Sequence, residues 1–186
     1  CDCCNSEMAE IWKRNPALLK FTRDLMNKRR STSPARKCLE NVMCGSCLDQ
    51  KQGVGGYFGQ HPNPTIKGQS IVICCGSIPG FSGGSSQSSI EGYMYHELQH
   101  ADDWCNSKYD SDDCQSSTCS ELRAFFCTSE CTDNPSCIQV LKDRGYFSSS
   151  PCSGIKDANN SGSNWDEIEA LVQRCPKLTK EYCAQP

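Results

Sequence analysis

The sequence lacks any long apolar stretch: its longest uninterrupted run, Ile71 to Cys75, is five residues. A membrane-spanning helix needs about 20 apolar residues in succession, so no such segment is expected. Histidine is almost as scarce, with three in 186 residues, which makes the position of each one informative. No internal repeat is visible. The chain begins at Cys1 and not at Met, so the want of a leader-like segment carries no weight.

Cysteine, by contrast, is abundant, with 17 residues. A chain of this length has room for one domain with a modest core, and the 37% hydrophobic and 22% charged residues suit a folded soluble protein. Such cysteine density signals disulfide stapling. A metal-ribbon explanation fails on spacing, because Cys44-Gly45-Ser46-Cys47 is followed by no second pair of that kind. Disulfides place the chain outside the cytosol proper: secreted, in the secretory pathway, or in the mitochondrial intermembrane space. Seventeen is odd, so at least one cysteine is free, metal-bound or joined to a partner.

Charge is unevenly divided. Residues 1–37 carry nine Lys and Arg against four Asp and Glu, while the whole chain is net −3. The basic end is a candidate contact for a membrane surface or a partner, although a solvated helix face explains it equally well. No nucleic-acid partner is expected.

Local patterns suggest a helix-rich chain. Met8, Ile11 and Trp12 fall on one helical face, and Asn15-Pro16 reads as an N-cap followed by Pro in the first turn. Leu18, Phe21, Thr22, Leu25 and Met26 continue the stripe, so residues 1–37 form a basic amphipathic segment broken at Pro16. Residues 31–36 read as a short polar linker. The glycines around Tyr57-Phe58 suggest a hairpin or irregular strand, and the β-branched content of 69–74 predicts a strand. After a Gly/Ser loop at 79–89, Ser88 and Glu91 form a capping-box pattern that opens a helix running to about Cys105. A polar loop over 106–117 precedes a second helix, opened by Thr118-Cys119-Ser120-Glu121 and continuing to about Glu130. Pro135 starts a third helix stopped at Gly145. Residues 146–163 are a Ser/Gly loop, and Asn164 caps a fourth helix ending at Pro176.

The chemistry centres on His96-Glu97-Leu98-Gln99-His100. Histidines four apart on a helix project from one face, about one turn apart, so both imidazoles can ligate a single metal. Glu97 is placed beside the position where water would bind, as general base for attack on a peptide carbonyl. The third histidine, His61, lies in a Gly/Pro loop and reads as a surface residue. Two candidates stand for the third ligand. Glu121 opens the next helix and can complete a tetrahedral site from there, unless its capping role with Thr118 occupies it. Asp103 shares the face of His100 but has poor reach from the same helix, which suits it to a hydrogen bond that fixes a histidine tautomer. Asp102, Asp112 and Asp113 read as solvated acidic surface.

The stretch His96-Glu97-Leu98-Gln99-His100-Ala101-Asp102-Asp103-Trp104-Cys105, followed by Cys119-Ser120-Glu121-Leu122-Arg123-Ala124, resembles the mitochondrial intermembrane-space metallopeptidases that process and help assemble an ATP synthase subunit. Gly55-Gly56-Tyr57-Phe58 and the strand at 69–74 resemble that family's Gly-aromatic turn and the strand before its catalytic helix. The likeness covers roughly 38–131. Asp102 stands where the family tends to have an aromatic residue, and Asn106 where a basic one is usual.

The resemblance implies an α+β fold, a small disulfide-rich zincin-like metallopeptidase domain over 38–186, helix-rich with a short sheet ahead of the zinc helix. It implies a zinc endopeptidase acting on polypeptide, peripheral to the inner membrane and facing the intermembrane space. There it would process or assemble ATP synthase or a respiratory complex. It carries over Glu97 as the catalytic residue and His96, His100, Glu121 and Asp103 as metal-site positions; Arg123 is a further candidate, as a salt-bridge partner behind them. The strand at 70–74 is a place where extended substrate can add by β-augmentation. The competing expectation is a metal-binding assembly subunit of a large mitochondrial membrane complex, with proteolysis secondary or lost.

Overall fold

The computed structural model describes residues 2–46, 55–60, 65, 68–75, 90–110, 112–143, 152 and 165–183. They fall into two compact units, one ending at Asn106 and the other starting at Ser107. Among the described residues no helix is long and apolar enough to cross a membrane. The fold is α+β and helix-rich, with a small sheet ahead of the histidine-bearing helix, as expected.

In the first unit, Asn15-Pro16 divides the N-terminal stripe into α1 (Asp2–Arg14) and α2 (Pro16–Asn27). Asn15 Oδ1 accepts from the Leu18 amide at 3.0 Å, and Pro16 fills a first-turn position where a missing N–H is harmless. Met8, Ile11, Leu18, Phe21 and Leu25 are buried. Both helices lie against α3 (Ile90–Cys105), so the apolar stripe is core surface. The Ser88 capping pattern lies outside the described residues. Glu91 is engaged elsewhere, accepting from Asn15 Nδ2 at 2.8 Å and pairing with Arg14 at 3.2 Å.

Residues 31–36 are not a linker. Arg29–Arg30 (β1) and Ser33–Lys37 (β2) pair as an antiparallel ribbon that caps α3. The Arg30 Nε donates to the Trp104 carbonyl at 3.2 Å, and the Ser31 amide to the Cys105 carbonyl at 3.0 Å. These are carbonyls that a helix end leaves without internal partners, and a cation near them is favoured by the helix dipole. The Arg30 guanidinium also covers the Trp104 ring, 4.5 Å from its centre. Polar side chains and backbone do this work, so no apolar alternation marks the ribbon, and Pro34 is tolerated because each strand is paired on one side.

The main sheet has the order β3 (Asn41–Ser46), β5 (Gln69–Cys75), β4 (Gly56–Gln60). The middle strand runs parallel to β3 and antiparallel to β4, and residues 70–74 are buried throughout. Its burial on both faces explains why it reads as a continuous β-branched run, whereas β3 is hidden among Cys and Gly. This arrangement corrects the expectation of β-augmentation at 70–74, because β5 already has a strand on each side. Among the described residues, β3 and β4 are the edges.

In the second unit, α4 (Cys114–Cys127) begins four residues before Thr118. Asp113 is its cap, accepting from the Ser116 amide at 2.7 Å. Thr118 is buried inside the helix, so the Thr118–Glu121 capping box does not form and Glu121 is released from that role. α5 (Asn134–Asp143) follows with Pro135 in its first turn, then α6 (Trp165–Gln173) and a short 3-10 turn at Lys180–Tyr182. Leu122, Phe125, Leu141, Ile168 and Val172 form the core of this unit. The Gly145 stop, the 146–163 loop apart from Cys152, and the Asn164 cap lie outside the described residues.

Six disulfides join described cysteines: Cys4–Cys44, Cys38–Cys105, Cys114–Cys152, Cys119–Cys175, Cys127–Cys183 and Cys131–Cys137. Each lies within one unit. Cys38–Cys105 pins the end of α3 across 67 residues of sequence. Closing a loop that long removes about 4 kcal/mol of unfolded-chain entropy on the chain-entropy account. Replacing Cys38 and Cys105 by Ser is therefore expected to lower unfolding free energy by roughly 2–4 kcal/mol in a denaturant titration.

Candidate metal centre

The helix α3 carries His96 and His100 one turn apart on the same face, both buried at 8% and 5% exposure. Their Nε2 atoms approach to 3.2 Å. Two ligands at the usual zinc–nitrogen distance in a tetrahedron stand about 3.3–3.4 Å apart, so the observed separation is that of a chelating pair. The same distance also allows one imidazole to donate to the other when the pair holds no metal.

Glu97 follows His96 by one residue and is buried, with its side chain against β4. A Cβ added to Gly56 would sit 3.6 Å from Glu97 Cγ and 3.1 Å from the Val72 carbonyl. A Cβ at Gly55 would overlap the Tyr93 ring, one turn before Glu97. The two glycines therefore let strand backbone lie directly against the motif helix. The sequence suggests a hairpin or irregular strand here and does not reveal this packing role; the position of the two glycines directly before Tyr57-Phe58 is the only hint.

Among the described residues one group of side chains is able to hold a metal ion: His96, His100 and Glu121. Each offers a ligand atom, and these atoms all lie within 4.8 Å of one another. Two imidazoles and a carboxylate are a donor set that suits zinc, so the residues present fit the ion implied by the motif. Asp103, the other acidic candidate, is buried on α3 at 1% exposure and is not in that group. Arg123 is buried on α4, where its Nε donates to the Tyr182 carbonyl at 2.8 Å. His61 lies outside the described residues.

Asp102 is not solvated surface. Its side chain is 14% exposed, accepts from Asn106 Nδ2 at 2.9 Å and lies 4.0 Å from Lys28 Nζ. Lys28 in turn donates to Asn106 Oδ1 at 3.1 Å. Asp102 and Asn106 thus bond to each other at the end of α3, one helical turn apart. Asp112 and Asp113 are exposed, as expected.

The model of the peptidase M76 family matches residues 2–153. This range is wider than the 38–131 read from the motif blocks: it takes in α1 and α2 and stops short of α6. No curated protein and no solved structure matches the chain.

Substituting Ala for Gly55 places a methyl group in the Tyr93 ring and is expected to cost about 1–3 kcal/mol. In a Tyr93→Ala background most of that penalty should vanish. Urea unfolding of the four proteins in the cycle measures it, and additive effects would show that the two residues do not meet.

Proposed function

The chain belongs to the peptidase M76 family, and from that membership we propose that it is a zinc-dependent endopeptidase of the HExxH type. The observation that carries the reading is the 3.2 Å approach of two buried imidazole Nε2 atoms, on a helix that also buries Glu97, the residue after His96. His96 and His100 hold zinc through Nε2, and Glu121 supplies the third ligand through a carboxylate oxygen. Asp103 orients an imidazole by accepting its second N–H.

Zinc, when bound, supplies Lewis acidity that brings the pKa of water towards neutrality and polarises the scissile carbonyl. Glu97 does the proton work. Its carboxylate takes one proton from water as the water oxygen bonds to the peptide carbon, and returns it to the amine nitrogen as the C–N bond breaks. The low exposure of Glu97 limits bulk water around that carboxylate and strengthens its local electrostatics. The substrate is a polypeptide in extended form, and the edge strand β4 is the place for it, since Gly56 of that strand lies against Glu97.

The proposed setting is the mitochondrial intermembrane space, peripheral to the inner membrane, in processing or assembly of ATP synthase or a respiratory complex. Its support is the disulfide content and the resemblance of the two motif blocks. The β1–β2 ribbon adds to this through Arg29 and Arg36, which are exposed on it and suited to an anionic surface, while the neighbouring Lys28 and Lys37 are paired with Asp102 and Glu40.

Glu97→Gln is expected to keep about one zinc per chain while cleavage of a polypeptide substrate falls by roughly 10²–10⁴-fold. Undiminished cleavage would remove Glu97 as the base. For the third ligand, Glu121→Ala should lower zinc occupancy in metal analysis more than Asp103→Ala does; the opposite order would transfer the role to Asp103.

A further inference from the structure

One face of α4 is fastened along its length to the C-terminal segment. Gln115, Cys119, Arg123 and Cys127 recur every four residues and so form a single stripe on the helix. Their partners follow in the same order. Gln115 Nε2 donates to the Leu171 carbonyl at 2.9 Å, Cys119 is bonded to Cys175, and Cys127 is bonded to Cys183. Between the two disulfides the Arg123 Nε donates to the Tyr182 carbonyl at 2.8 Å, with its guanidinium 5.0 Å from the Tyr182 ring centre. The four points span about 18 Å of helix at 1.5 Å per residue. A helix held at one point can slide and roll; one held at four points in register can do neither.

Glu121 lies midway along this stripe in sequence but not on it. At 100° per residue it is about 200° around the helix from Cys119, so its side chain leaves α4 on the opposite face. The stripe therefore fixes both the height and the direction at which Glu121 is presented. Its partners all come from beyond the part of the chain that the family model covers.

The two disulfides of the stripe also differ from the rest. Among the six described, they alone have both cysteines partly exposed; each of the others has at least one buried cysteine. Access governs thiol–disulfide exchange, so these two are the ones a small dithiol reaches first.

We propose that the C-terminal segment is a redox-sensitive strap that positions Glu121 for metal binding, with Gln115 and Arg123 as positioning residues. In the reductive step a thiolate of a dithiol attacks one sulfur of Cys119–Cys175 or Cys127–Cys183. The resulting mixed disulfide is resolved by the dithiol's second sulfur. Two protein thiols and one oxidised dithiol result, with both electrons and both protons supplied by the dithiol. α4 then loses a fixed point on the face opposite Glu121, while Cys114–Cys152 still holds its first residue, and Glu121 is presented to the metal in a less constrained geometry. The inference rests on the reading of Glu121 as a ligand.

The test measures zinc dissociation constants of the full chain by chelator competition, well below its melting temperature. The proteins compared are the wild type, Cys119→Ser/Cys175→Ser, Arg123→Lys, Cys131→Ser/Cys137→Ser and Glu121→Ala. Opening the strap is expected to weaken zinc binding about tenfold or more, as is Arg123→Lys, which keeps the charge but loses the Nε donor. Removing Cys131–Cys137, a disulfide of the same unit that lies off the stripe, should change it less than about twofold. Brief dithiol treatment of the native protein, with opened cysteines mapped by alkylation, should reproduce the loss. If the double serine variant does not fold, Arg123→Lys and the dithiol treatment decide. A weak Glu121→Ala alongside wild-type affinity in the strap proteins overturns this inference and leaves the ligand assignment standing. An unchanged Glu121→Ala overturns both.

Discussion

The metal site proposed for this chain depends on one short distance, the approach of the His96 and His100 Nε2 atoms on a single buried helical face. An i,i+4 spacing brings two imidazoles near each other on any helix, but it does not keep both buried, nor hold the helix still. Here α3 is secured at its end by Cys38–Cys105 and by donors from Arg30 and Ser31 to its last carbonyls. On its side it is secured by α1, α2 and the glycine-cleared backbone of β4. Ordering two side chains around an ion costs conformational entropy, and a helix already held in place has met that cost during folding.

The disulfides make this rigidity possible in a small chain. Two units that divide fewer than 200 residues between them have limited cores, and the second is built on short helices around Leu122, Phe125, Leu141 and Ile168. Its four described disulfides hold α4 and its neighbours where apolar area alone gives a thin margin. The same bonds give the unit a sensitivity to reducing conditions that a hydrophobic core lacks.

Much of the site was legible in the sequence because its grammar is local. The histidine spacing, the Asn15-Pro16 break and the β-branched run at 69–74 each follow from interactions within a few residues, and each is present in the structure. What was misread depends on distant partners. Residues 31–36 look like a linker because their role, capping α3, is carried by polar groups that leave no periodicity. Thr118-x-x-Glu121 has the form of a capping box, yet Asp113 caps the helix earlier, and a motif cannot report a competitor upstream of it. Asp102 looks like surface until Lys28 and Asn106, 78 residues apart, are seen to meet beside it. The disulfide pairing and the Gln115-to-Cys127 stripe were equally out of reach, since cysteine count constrains number and not connectivity.

The most direct measurement of the central claim is X-ray absorption at the zinc edge of the purified chain, because it reads the ligand atoms themselves in a protein with 17 cysteines. The account requires a first shell of nitrogen and oxygen at about 2.0–2.1 Å, with the outer-shell pattern of two imidazoles. Sulfur scatterers at about 2.3 Å would place the metal on thiolates and contradict the assignment of His96 and His100.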